Sequence, residues 1–303
     1  MQGRKDLMPF VGGFPRPDWD AIDETVKAQS ESELDRLWTH WARTWVDATA
    51  SALGREYQVT ESDNFIVLSA QDDRYTNLLS RFLERALRKI LRMLDGIAKD
   101  DGFGKNVVLI FDEQEPYYRY MSYFFPDEGE FILSSGVFLN SDYGHFAFPF
   151  LEMSAAEATS AHEMTHACLR HLPIPLWLNE GFAVTMEDEI CAYQPLQMDS
   201  ERFSKHANFW NADTIQEFWS GFSFNRTDEG SDLSYELARF CLRSLAHDYG
   251  VFVRFANSAT FEDGGESAAI DAFGGSLGGL IHQFFGDGEW SPRPTEWSSH
   301  GAT

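Results

Sequence analysis

The sequence predicts an α+β protein, with a small mixed sheet and helices in its N-terminal half and a mainly helical part after it. Three observations carry this. Short apolar runs of strand length, such as Phe65-Ile66-Val67-Leu68 and Val107 to Phe111, all fall before Pro149. Apolar residues recurring at three and four mark long helices among them, so the order is no βαβ repeat. Beyond Pro149 the periodicity is almost entirely helical.

Residues 1–29 contain Pro and Gly and then acids, and read as an irregular lead-in. Glu31 to Leu53 is amphipathic, with Leu34, Leu37, Trp38, Trp41 and Trp45 on one face; Ser30 with Glu33 suggests a capping box and Gly54 a stop. At that spacing the tryptophans are core rather than a ligand platform. A long helix follows from about Tyr75 to Leu94, with Leu79, Phe82, Leu83, Leu87 and Ile90 inward. Its other face carries Arg81, Arg85, Arg88, Lys89 and Arg92, read as a solvated face paired with nearby acids.

Phe131 to Leu133, Val137 to Leu139 and His145 to Phe148 read as further strands around Ser134-Ser135-Gly136. Asp213-Thr-Ile-Gln216 suggests a capping box opening a short aromatic helix, and later helices are expected over Asp232 to Tyr249 with Gly250 as stop, and near Ser267–Phe273 and Leu277–Phe285. From Gly286 the residues lack periodicity and read as a poorly ordered tail.

Net charge is -24, from 48 acidic and 24 basic residues, which argues against nucleic acid or an anionic membrane as the main partner. No apolar run approaches the ~20 residues of a membrane span. The N-terminus has no continuous apolar stretch of signal-peptide type. Cys168, Cys191 and Cys241 show no CxxC spacing, so the expectation is a cytoplasmic protein with reduced thiols. Nothing in the sequence specifies an oligomeric state.

The chemistry is concentrated in Ser154 to Glu189. His162-Glu163-Met164-Thr165-His166 is an HExxH motif, and residues four apart on a helix share a face, so the two imidazoles can meet one metal ion. Ser154 and Glu157 suggest a capping box two turns earlier. Pro173 and Pro175 close that helix, and a second one begins with Trp177. A tight turn between them would return Glu180, of Asn179-Glu180-Gly181, to the histidines as third ligand. Two nitrogens and one oxygen, with a fourth position for water, is the catalytic zinc pattern. Zinc lowers the pKa of its water to about 7, and Glu163, beside a ligand but not one itself, is placed to move the proton.

A third histidine in the metzincin register is excluded, because Leu169 and Leu172 hold the positions of its glycine and histidine. His171 is one place out and is expected to face solvent. Glu157, Glu187 and Asp188 could orient a histidine but read as solvated helix residues.

HEMTH followed by PLWLNEGFA resembles the gluzincins, the HExxH metallopeptidases with a glutamate third ligand. WLNEGFA is similar to that of aminopeptidase N-type enzymes, and the thirteen residues between His166 and Glu180 resemble the shorter spacing of compact bacterial peptidase MA-like domains. Tyr235-Glu-Leu-Ala-Arg-Phe and Ala268 to Gly274 resemble the helical tail of those domains.

The residues themselves suggest an N-terminal helical extension over 1–60 and a tail over 286–303; the resemblance covers roughly Asn64 to Phe285 and implies a zincin-like peptidase domain over 61–285 with the active site between sheet and helical lobe. It implies one zinc per chain at His162, His166 and Glu180, Glu163 as general base and acid, and Tyr235 steadying the oxyanion. The strand at Ser135–Leu139 would resemble the edge that pairs with an extended substrate. No Gly-x-Met-Glu-Asn segment is present, so exopeptidase specificity is not implied. Nor does Val184 supply the carboxylate that thermolysin-like enzymes place four residues after the third ligand. The expected function is zinc-dependent hydrolysis of a peptide or protein substrate; the alternative is a peptidase-like protein that binds peptide without turnover.

Overall fold

The computed structural model describes residues 7–126, 135–194 and 196–297. The chain is α+β, and it divides into two compact units: Met1–Arg92 with Asp100–Ala167, and Met93–Lys99 with Cys168–Thr303.

In the first unit a short hairpin, β1 (Phe10–Val11) and β2 (Phe14–Pro15), leads into α1 (Trp19–Val26) and α2 (Glu31–Leu53). The lead-in is therefore not irregular. The Asp18 side chain caps α1 by accepting from the Ala21 N–H at 3.0 Å, and Trp19, Ile22 and Val26 bury one face. The expected Ser30–Glu33 box does not form, because the Glu33 carboxylate pairs with Arg36 at 2.6 Å. The α2 tryptophans are core, as their spacing indicates: Trp45 is buried edge-on to Trp19, and Trp38 and Trp41 are partly buried against the same cluster.

Five strands, β3 (Gln58–Glu61), β4 (Phe65–Ser69), β5 (Asn106–Phe111), β6 (Val137–Leu139) and β7 (His145–Pro149), form one sheet in the order β3-β4-β5-β7-β6. β4, β5 and β7 are parallel, while β3 and β6 run antiparallel at the two edges. β4 and β5 are apolar along their length because both faces are covered, as parallel strands require. α3 (Asp73–Met93) makes the crossover between them, and α4 (Gln114–Met121) follows β5. The stretch Phe131 to Leu133, expected as a strand, lies outside the described residues.

Helices then dominate: α5 (Met153–Leu169), α6 (Leu176–Cys191), α7 (Ser200–Phe209), α8 (Thr214–Ser220), α9 (Gly230–Leu245), α10 (Tyr249–Ser258), α11 (Glu266–Phe273) and α12 (Leu277–Phe285). Gly250 does not end α9. That helix stops at Leu245, and Asp248 caps a separate α10 by accepting from the Val251 N–H at 3.2 Å.

Residues 286–297 are not a loose tail either. Trp290 is 8 % exposed, its carbonyl accepts from Trp219 Nε1 at 2.7 Å, and Gln216 Oε1 accepts from the Arg293 N–H at 2.7 Å. Aromatic burial outweighs a composition of Gly, Pro and Ser. Among the described residues no helix is long and apolar enough to cross a membrane.

Candidate metal centre

α5 begins one residue before Ser154: the Ala156 N–H bonds to Glu152 O at 2.9 Å. Ser154 is thus inside the first turn and is not the expected cap. Ala161, Met164, Thr165, Cys168 and Leu169 are buried, which fixes the rotation of the helix. His162 and His166 sit one turn apart and half-buried, their ring centroids 4.8 Å apart and nearly perpendicular. The helix ends before Pro173, and His171, expected to face solvent, is half-buried just beyond its end.

Pro175 precedes α6 in an extended conformation, so its missing N–H costs no helical bond. Trp177 then anchors the first turn. It is fully buried, packs edge-on against Trp219 at 5.5 Å, and its Nε1 donates to Gly264 O at 2.9 Å. Glu180 follows on the next turn, and Gly181 has a packing reason to be glycine. A Cβ there would meet Ala238 O of α9 at 3.0 Å, so a side chain at this position would oblige the α9 backbone to give way slightly.

Asp188, expected as a solvated residue or a histidine partner, is instead the buried hub of an ion-pair network. Its Oδ2 lies 3.0 Å from Arg239 Nε and 2.9 Å from Arg243 Nη2. Burial raises its pKa, and the two guanidiniums oppose that shift. The network locks α6 to α9 one turn or more beyond the metal-ligand stretch.

The ligand atoms of His162, His166 and Glu180 all lie within 4.8 Å of one another. Glu180 is only 9 % exposed. Two imidazole nitrogens and a carboxylate oxygen are the donor set that zinc takes in three-ligand sites, so these residues fit the metal implied by the sequence. Glu163 is not in that group. Its Oε2 accepts the Phe138 backbone N–H at 2.8 Å.

β6 is the sheet edge, and Phe138 opposes Phe146 of β7, so an N–H given to Glu163 is turned away from the ladder. Gly136 admits the chain to this edge: its φ is +155°, and a side chain there would overlap the Phe148 ring. The Phe138 amide is a partner of Glu163 that the sequence does not announce, since a main-chain donor leaves no residue signature. The glycine before a short strand was the only available cue.

Comparison of the chain with family models, curated proteins and solved structures gives no match. Tyr235 lies in the second turn of α9, half-buried, its ring edge-on to Phe224 at 5.1 Å.

Proposed function

We propose that the chain is a zinc-dependent metallopeptidase of gluzincin type, taking one zinc and cleaving peptide bonds in a peptide or protein substrate. The observation that supports this best is the convergence of His162, His166 and Glu180 with a non-ligating Glu163 beside the first histidine. Zinc bound there supplies a Lewis acid and a water whose pKa falls to about 7.

Glu163 does the proton work, taking a proton from the attacking water and returning it to the leaving amine. The Phe138 N–H bond to Glu163 Oε2 orients the carboxylate for that work. Tyr235 is assigned to the developing oxyanion. The absence of CxxC pairs and the acidic charge favour a cytoplasmic enzyme that does not act on nucleic acid.

The test is elemental analysis combined with a peptide-library digest, on wild type and Glu163→Gln. The reading expects about one zinc in both proteins and hydrolysis only by wild type. Zinc-loaded wild type that binds peptides without cleaving them would make this a peptide-binding protein. Wild type that takes no zinc after reconstitution would end the metallopeptidase reading.

A further inference from the structure

α3 carries a row of cations that the metal centre leaves unused. Arg74, Arg81, Arg85, Arg88 and Arg92 are all exposed, with Leu78 exposed among them. At ~100° per residue these positions lie within about 40° of one line, and 18 rises of ~1.5 Å make a row ~27 Å long.

The expectation that nearby acids pair with this face is met only in part: Lys89 is engaged, and the Glu84 carboxylate feels the Arg88 charge. Among the described residues none of these five arginines makes an ion pair, whereas Arg36, Arg43, Arg202 and Arg226 all do. The helix has one acid beyond its first residue, Glu84; its carboxylate accepts from Ser62 Oγ and from the N–H and Nδ2 of Asn64, and it meets Arg88 only through the field, with no close ion pair. Arg85 merely lies over the Phe82 ring at 5.7 Å.

We propose that this face of α3 docks an acidic polypeptide segment laid along the row. Planar guanidinium forks pair two-toothed with carboxylates. Their one-turn spacing matches carboxylates placed every three or four residues on a partner helix. Leu78, and Leu91 in the shallow depression between Arg88 and Arg92, add apolar contact suited to a peptide.

Two other polyanions fit less well. Single-stranded nucleic acid needs stacking platforms, but the two aromatics of α3 are occupied: Phe82 is buried, and half-buried Tyr75 donates its hydroxyl to Leu151 O. A planar anionic membrane would press its charge on the surrounding surface of a chain of net charge -24. A partner one helix wide stays on the row, and beyond about 8 Å the acidic surroundings are screened.

The experiment is fluorescence anisotropy with a labelled peptide of about 16 residues rich in Glu and Leu, alongside an oligonucleotide and phosphatidylserine vesicles. Wild type binds the peptide, with affinity falling about tenfold from ~50 to ~300 mM salt. Arg81→Glu/Arg85→Glu/Arg88→Glu weakens binding by about tenfold or more, and the corresponding Gln triple weakens it severalfold should the first fold poorly. Lys27→Glu/Arg36→Glu/Arg55→Glu, with the same charge change elsewhere, stays within about twofold of wild type. Absence of peptide binding at low salt overturns the proposal, as does equal loss in the control triple. Tighter, row-dependent binding of the oligonucleotide or the vesicles also overturns it.

Discussion

Glu163 and Phe138 are 25 residues apart in sequence, yet the amide of one holds the carboxylate of the other at 2.8 Å. An edge strand thereby braces the side chain proposed to move the proton. Because the amide points off the ladder, proline at 138 deletes it without removing a sheet bond, which is where edge strands tolerate proline. Phe138→Pro is expected to lower kcat by roughly ten- to a hundredfold, the worth of one charge-assisted hydrogen bond, with little change in KM. Phe138→Ala keeps the amide and should stay near wild type. Steady-state kinetics of both, at matched thermal stability, decide; equal losses would move the effect to the ring.

Zinc should also appear as stability. A ligand that binds only the folded chain at a hundred times its Kd adds about 2.7 kcal/mol. Thermal unfolding with and without zinc should show this gain in wild type and lose most of it in Glu180→Ala. A variant stabilised as much as wild type would remove Glu180 from the ligand set.

Gly181→Ala sets two effects against each other. Alanine gains roughly 0.5–1 kcal/mol over glycine within a helix. Forcing a Cβ against the backbone of Ala238 costs about 1–3 kcal/mol, since that carbonyl cannot swing aside as a side-chain tip could. The net should be a loss of about 1 kcal/mol in urea unfolding, with weaker zinc binding because Glu180 is the adjacent residue. A stabilised variant would show that α6 and α9 can separate freely.

His145 makes the fold sensitive to acid. It is buried, with Nδ1 donating to Tyr143 O at 2.8 Å and Nε2 accepting from the Tyr120 hydroxyl at 2.7 Å. Burial above all, and the Arg16 cation in addition, push its pKa from 6.5 down to about 4, while the bond to Tyr143 opposes them. The unfolded chain therefore takes up a proton that the folded chain refuses. This contribution is complete above pH 6.5 and lost as pH falls to about 4, on the order of 3 kcal/mol in all. Urea unfolding at pH 7 and pH 4.5 should show the loss in wild type and a shallower one in His145→Gln. Parallel slopes would clear His145 of the effect.

What could be read from the residues follows how far each signal extends. α2, α3, β4 and β5 are long or uniformly apolar, and their periodicity survives any packing. The His162, His166 and Glu180 cluster is legible for the same reason, since helical spacing and a proline turn bring these candidate ligands together locally. α1 and β3 are too short for a pattern to stand out, and residues 286–297 are ordered by Trp290, one side chain in a polar stretch. Capping patterns misled at Ser30, Ser154 and Asp213. At α8 it is Asn211 Oδ1 that accepts the Asp213 and Thr214 N–H groups, and a match by composition could not tell which oxygen is in reach. Asp188 was misjudged because its partners are about fifty residues away on another helix.

The sheet pairings also imply an order of assembly. His166 and Glu180 are joined by one short turn, whereas Phe65 pairs with Asn106 and Val107 with His145, each across about forty residues. Loop-closure entropy makes the near contact early and the distant ones late. The turn between the candidate ligands and the equally local β6–β7 hairpin, in which Leu139 faces His145, then form before β7 docks on β5, and a nascent chain could capture the proposed metal before Glu163 is braced. Competence for hydrolysis would arrive as a separate, later event, tied to the docking of β7. Pulse-labelling hydrogen exchange during refolding would show it: amides of α5 and α6 protected first and the Phe138 amide last, with simultaneous protection contradicting the order.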